Sequence, residues 1–187
     1  MRILILGPQG SGKGTQAKLM AAAYGVPHVA TGDIFREAMA AGSELGERVR
    51  PFYEAGDLVP DDLTIDLIRE RLADEDGFVL DGFPRTLPQA EALDAMLDQI
   101  GKPIDVVLLL EVSDEVAFSR LSKRRELEGR TDDSPEGIRN RLQHYHERTE
   151  PVVERYRAEG RLVAVDGERG VDEVASTIED ALRVGAH

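Results

Sequence analysis

At 187 residues, with 41% hydrophobic and 32% charged side chains, the chain has the length for one domain with a sizeable core and the composition of a globular protein rather than a disordered one. Its net charge of −13 argues against general nucleic-acid or anionic-membrane binding, and no apolar run approaches the ~18 residues of a membrane span. There is no cysteine, which excludes disulfides and thiolate metal sites.

Arg2-Ile3-Leu4-Ile5-Leu6 reads as a short buried parallel strand. A strand in this place is not the pattern of a secretion signal, so a cytoplasmic location is expected. The next stretch is Gly7-Pro8-Gln9-Gly10-Ser11-Gly12-Lys13-Gly14-Thr15, followed by a helix over Lys13–Tyr24. Gly7, Gly12 and Lys13 meet the spacing G-x-x-x-x-G-K. Strand, glycine loop and helix N-terminus together make a phosphate cradle. Glycines let backbone N–H groups turn inward on an anion, and the helix dipole adds partial positive charge there. Lys13 can then reach toward the terminal phosphates of a nucleotide. A plain glycine-rich turn would not account for a lysine at that place.

Pro27–Ala30 reads as a second strand, and Thr31 is expected to cap the helix that follows. Helical patterns at about 33–41 and 44–55 are broken by Gly42, and the turn Gly56-Asp57-Leu58-Val59-Pro60 precedes a helix from Asp61 to about Ala73. So long an all-helical excursion between strands predicts a small lobe outside the sheet. Gly77–Asp81 is an apolar strand ending in a carboxylate. Beside a phosphate loop, such an aspartate suits Mg²⁺ or its waters.

A helix is expected over Pro88–Ile100, and the most apolar strand, Asp105–Leu110, is expected at the sheet centre. Helix Asp114–Arg125, loop Glu126–Ser134, one long helix to about Arg157, strand Leu162–Asp166 and helix Val171–Val184 complete the chain. Strands separated by helices imply an α/β fold with a parallel sheet and right-handed crossovers. Against the acidic background, residues 120–141 hold seven cations: Arg120, Lys123, Arg124, Arg125, Arg130, Arg139 and Arg141. Arg125 and Arg139 suit a solvated face; the others read as a phosphate clamp, for which the planar guanidinium fork is well shaped. The four histidines form no ligand constellation.

Five ordered motifs now stand together: GPQGSGKGTQA at 7–17, TGDIFR at 31–36, GDLVPDDL at 56–63, DGFPRTLPQAEAL at 81–93 and GRTDD at 129–133. With them the chain resembles the adenylate kinases over essentially its whole length. The resemblance implies a P-loop NTPase-type parallel five-stranded sheet flanked by helices. A core at 1–29, 60–122 and 134–187 would carry a small helical AMP-binding lobe near 30–59 and a short lid near 123–133.

It also implies reversible, Mg²⁺-dependent transfer of the terminal phosphoryl group of ATP to AMP, giving two ADP. Gly10, Ser11, Gly12, Lys13, Gly14 and Thr15 would cradle the ATP phosphates, with Arg120, Arg124 and backbone near Arg169 completing the ATP site. Thr31, Arg36, Asp57, Leu58, Val59, Gly82, Phe83, Pro84, Arg85 and Gln89 would hold AMP. Arg130 and Arg141 would bridge the two nucleotides, Asp132 and Asp133 would be lid residues that pair with arginines or help close the lid, and Asp81 would hold Mg²⁺ through water. Lys13, Arg85, Arg124, Arg130 and Arg141 would be catalytic by charge. The acceptor phosphate is already an anion, so no general base is needed.

Three departures stand out: Gln9 where the family loop often has proline, Ala30 where it often has serine, and a short lid. Without cysteine, the structural zinc of some family lids is not expected. A monomer without nucleic-acid or membrane partners is implied. Other nucleoside monophosphate kinases, UMP/CMP kinases and GTP:AMP phosphotransferases, are the nearest alternatives. Gln89 and the GDLVP turn favour adenine, and the N/T-K-x-D motif of guanine-binding switches is absent.

Overall fold

The parallel sheet is built on β1 (Arg2–Leu6), which is flanked by β3 (Phe78–Asp81) on one side and β4 (Val106–Glu111) on the other. The computed structural model describes residues 1–129 and 133–184. Among these, β2 (His28–Ala30) and β5 (Leu162–Asp166) complete a five-stranded sheet in the order β2-β3-β1-β4-β5, with every pairing parallel. The expectation that Asp105–Leu110 is central is therefore corrected. Apolar content reports burial on both faces, which β1, β3 and β4 share, and says nothing of which strand lies between which.

Side chains alternate across the sheet. Leu4 and Leu6 join Leu80, Val107 and Leu109 on one face, covered by α4 (Asp61–Leu72), α5 (Leu87–Gln99) and α8 (Glu150–Ala158). Ile3, Ile5, Val79, Leu108 and Leu110 meet α1 (Lys13–Tyr24) and α9 (Val171–Val184) on the other. From β1 the chain passes first toward β3 and β2, then returns to β4 and β5. The C-terminal end of β1 is thus the point where strand order reverses, the usual place for a ligand in such sheets.

Two small clusters lie off the sheet. Phe35, Val49 and Val59 centre one, built on α2 (Thr31–Ala40) and α3 (Glu44–Ala55). Ala117, Leu121, Ile138 and Leu142 join α6 (Asp114–Glu128) to α7 (Pro135–His144). Gly46 is what lets α2 and α3 pack so closely, because a Cβ there would run into the backbone of Ala38 and Met39. Gly46→Ala is expected to cost about 1–3 kcal/mol, read as an earlier urea midpoint.

Most element boundaries fall within a residue of expectation, and three differences have a clear physical cause. α2 begins at Thr31 behind an extended Ala30 that offers no side-chain cap; the Thr31 hydroxyl instead donates to the Gly82 carbonyl at 3.0 Å. α6 runs to Glu128, beyond the expected Arg125, and stops where Gly129 takes a left-handed φ of 64°. The expected single long helix is α7 and α8 joined by a π-helical turn, Tyr145–Thr149. Pro151, in the first turn of α8, cannot donate to the carbonyl four residues back and crowds it, so the helix widens there.

Candidate active site

α3, α5, α6 and α7 each open with a serine or threonine side chain that accepts a backbone N–H: Ser43, Thr86, Ser113 and Ser134. α1 does not. Its N-cap is Gly12, with φ 93° and no capping side chain. The N–H groups of its first turn, which have no partner within the helix, therefore face the loop that precedes them. Glycine is required along this loop. A Cβ at Gly7 would lie 2.5 Å from the Leu110 carbonyl oxygen, and one at Gly10 2.7 Å from that of Ala117. The loop is thereby seated against β4 and α6.

The Lys13 ammonium curls over the loop and donates to the carbonyls of Gly7 (2.8 Å) and Pro8 (2.7 Å). Burial lowers its pKa to about 8; Asp81 counteracts this, while Arg85 and Arg124 add to it. Asp81, at the end of β3, is near enough to Gly14 that a Cβ there would meet its Oδ2 at 3.5 Å. Burial works against its ionisation but is outweighed by His28 and by the charges of Lys13 and Arg85, which hold the carboxyl below its ordinary range. His28 was not expected here. Its Nε2 lies 3.6 Å from Asp81 Oδ2, because β2 and β3 pair with Ala30 opposite Asp81.

The stretch from Gly82 to Gln89 forms the opposite wall. The Phe83–Pro84 peptide is cis, and Gly82 has φ 83°. Arg85 is held by Nε donating to the Gly82 carbonyl (2.8 Å), while its own N–H donates to Gln89 Oε1 (2.7 Å) and its carbonyl accepts from Thr149 (3.0 Å). Burial depresses the pKa of its guanidinium, Asp81 opposes the shift, and Arg141 adds to it. Phe83 is fully buried and Gln89 nearly so.

Asp133 gathers the remaining arginines. Its fully buried carboxylate takes a bidentate pair from Arg124, Nε at 2.7 Å and Nη2 at 2.8 Å, and also pairs with Arg141. Burial opposes its ionisation, yet the two guanidinium groups outweigh that and lower its pKa from the ordinary 3.8. Removing one member of a buried pair leaves the others uncompensated, so Asp133→Asn is expected to cost about 3 kcal/mol at neutral pH. The Asp133 contribution is complete above the ordinary carboxylate range and disappears as pH falls through its depressed value. In acid titrations of stability, the parent should therefore lose more than Asp133→Asn does.

Arg120 ties the phosphate loop to the turn after β5, donating to Gly167 (2.8 Å), Glu168 (3.2 Å) and Gly10 (3.5 Å) carbonyls. Arg169 is exposed and pairs with Asp166. Arg36 bonds the Tyr53 hydroxyl and pairs with Asp33. The Asp57 carboxylate turns away to α7, accepting from Asn140 (2.7 Å) and His144 (3.1 Å), while Leu58 and Val59 continue along the lobe and Val59 enters its core. Arg130 and Asp132 lie outside the described residues. Asp61, unremarked in the sequence, bonds Thr86 and Gln89. Its position opening α4 was visible, but its partners 25 and 28 residues on were not.

Mg²⁺ suits this arrangement as a nucleotide-bound ion. Among the described residues no group of three or more His, Cys, Asp or Glu could hold a metal alone. Asp81 is a hard oxygen donor beside the loop, fitted to an ion held mostly by water and phosphate.

Comparison with known proteins agrees over nearly the whole chain. The family described as "Adenylate kinase" matches residues 5–161. An adenylate kinase of Thermus thermophilus is 51% identical over 182 residues, 97% of each chain. One from Stenotrophomonas maltophilia is 45% identical over 186 residues, 98% of this chain and all of the other.

Proposed function

Because the chain belongs to the adenylate kinase family, transferring the terminal phosphoryl group of ATP to AMP, we propose that its loop, Gly82–Gln89 wall and Asp133-centred arginines align two phosphate tails end to end. The observation that carries this assignment is electrostatic. Asp81, Arg85 and Arg124 all bear on the Lys13 ammonium, and Arg141 bears on Arg85. Lys13, Arg85, Arg124 and Arg141 outnumber the carboxylates set among them, Asp81 and Asp133, and that excess of positive charge suits a polyanion on each side of the transfer.

In this reading Gly10 to Thr15 hold the ATP phosphates, and Arg120 keeps the loop in register with the turn that meets the ATP base near Arg169. Thr31, Arg36, Leu58, Val59, Gly82, Arg85 and Gln89 receive AMP. Asp57 serves that lobe by fastening it to α7 rather than by touching the nucleotide. Mg²⁺ would be held by the ATP phosphates and, through water, by Asp81, and would supply neutralisation of phosphate charge there.

The chain's own contribution is alignment and charge. Lys13 moves from the Gly7 and Pro8 carbonyls onto phosphate, Arg85 orients the acceptor, and Arg124 and Arg141 stabilise the group in flight. Water competes as acceptor, and closure of the α2–α3 lobe over bound nucleotides would exclude it. The reading carries with it a monomer acting in the cytoplasm, independent of nucleic acid and membrane, which the net charge of −13 supports.

The experiment is calorimetry with ATP, AMP and a bisubstrate dinucleotide polyphosphate, beside a coupled assay for ADP. Two sites that the bisubstrate compound fills together are expected. Room for only one nucleotide would overturn the arrangement.

A further inference from the structure

Gln89 is held so that its amide cannot turn over. Its Nε2 donates to Asp61 Oδ1 at 2.8 Å, and its Oε1 accepts the backbone N–H of Arg85 at 2.7 Å. A carboxylate offers only acceptors and a backbone N–H only a donor, so each end of the amide has one permitted partner. The reversed amide would set oxygen against oxygen and N–H against N–H. Asp61 is itself fixed: it opens α4 immediately after the Gly56–Pro60 turn, and the same Oδ1 accepts the Thr86 hydroxyl at 3.0 Å. Thr86 in turn caps α5 through the Gln89 N–H at 3.4 Å.

Each end of the amide keeps one capacity after these contacts: a second N–H on nitrogen and a second lone pair on oxygen. Adenine complements that pair, with an exocyclic N–H to give and a ring nitrogen to accept. A 6-oxopurine has the reverse pattern, a carbonyl that accepts and a ring N–H that donates. We propose that Asp61 is a specificity-positioning residue, holding the Gln89 amide in the one sense that accepts a 6-aminopurine monophosphate and rejects a 6-oxopurine. The inference rests on the reading above that Gln89 meets the acceptor base.

Asp61→Asn is nearly isosteric but offers both a donor and an acceptor, so it no longer dictates the amide's sense. Relative kcat/KM for AMP and IMP, with ATP as donor, is the measurement. The parent should prefer AMP strongly. In Asp61→Asn that preference should fall about tenfold, carried by KM for AMP more than by kcat and with KM for ATP unmoved. Adding Asp61→Asn to Gln89→Leu should change the preference no further, whereas a merely structural role would add its effect in either background.

An unchanged AMP-to-IMP ratio in Asp61→Asn, with Gln89→Leu still altering it, would overturn the positioning role and leave Gln89 as the base reader. If Gln89→Leu itself leaves the ratio unchanged, the base-reading assignment fails, and the role of Asp61 falls with it.

Discussion

Lys13→Ala is expected to lower kcat by about 100- to 1,000-fold or more while leaving the protein folded. The fold should survive because the hydrogen bonds lost are Lys13's own, to Gly7 and Pro8 of the same loop, and the loop's seat is set by glycine backbone against Leu110 and Ala117. The rate should not, because the ammonium lies over the glycine loop that leads into the N-terminus of α1, where the proposed function seats the ATP phosphates. Single-turnover ADP formation at saturating ATP and AMP isolates the chemical step, and turnover at the parent rate would remove Lys13 from the mechanism.

The pKa of about 8 adds a pH signature. As pH rises through that value the free enzyme loses the Lys13 charge, so kcat/KM for ATP should decline above it, while kcat, read with phosphates bound, declines later. Stability moves the other way. Folding holds this proton less tightly than the unfolded chain does, and the resulting penalty is relieved as pH climbs from about 8 toward the ordinary 10.5.

Arg85→Ala should be at least as damaging, with kcat/KM for AMP down about 1,000-fold. Two effects combine. The side chain is partly buried, and its Nε is fixed on the Gly82 carbonyl, so the fork is aimed before any ligand arrives. It also balances Asp81, whose charge would otherwise bear on Lys13 with less opposition. Arg85→Lys should recover little, since an ammonium cannot hold Gly82 and present a planar fork at once. Initial rates over an AMP-by-ATP grid would check this; a loss confined to KM for ATP would place Arg85 on the wrong nucleotide.

What the residue order made legible was whatever is local. The phosphate loop, the carboxylate ending β3 and the break at Gly42 are punctuated by glycine, lysine and aspartate within a few positions of one another. What it hid was whatever depends on neighbours across the fold. Strand order is one such case, and so is the approach of His28 to Asp81, which follows from register between β2 and β3. The GRTDD motif promised an acid among arginines. It could not show that Asp133 is the fully buried hub of Arg124 and Arg141. The resemblance placed Asp57 among the residues that would hold AMP; it could not show that its carboxylate accepts from Asn140 and His144 of α7. The π-helical turn was encoded by Pro151, but a proline near a helix start is so ordinary that the widening behind it could not be read from sequence.

Since the strands all point the same way, the phosphate loop and the carboxylate of Asp81 hang from one rim of the sheet. On the opposite rim Arg2 pairs with Asp105 at 2.8 Å, and the Phe78 N–H meets the Met1 carbonyl at 2.9 Å. A tether, dye or fusion partner fixed near that second edge would grip the protein at the end remote from the candidate site.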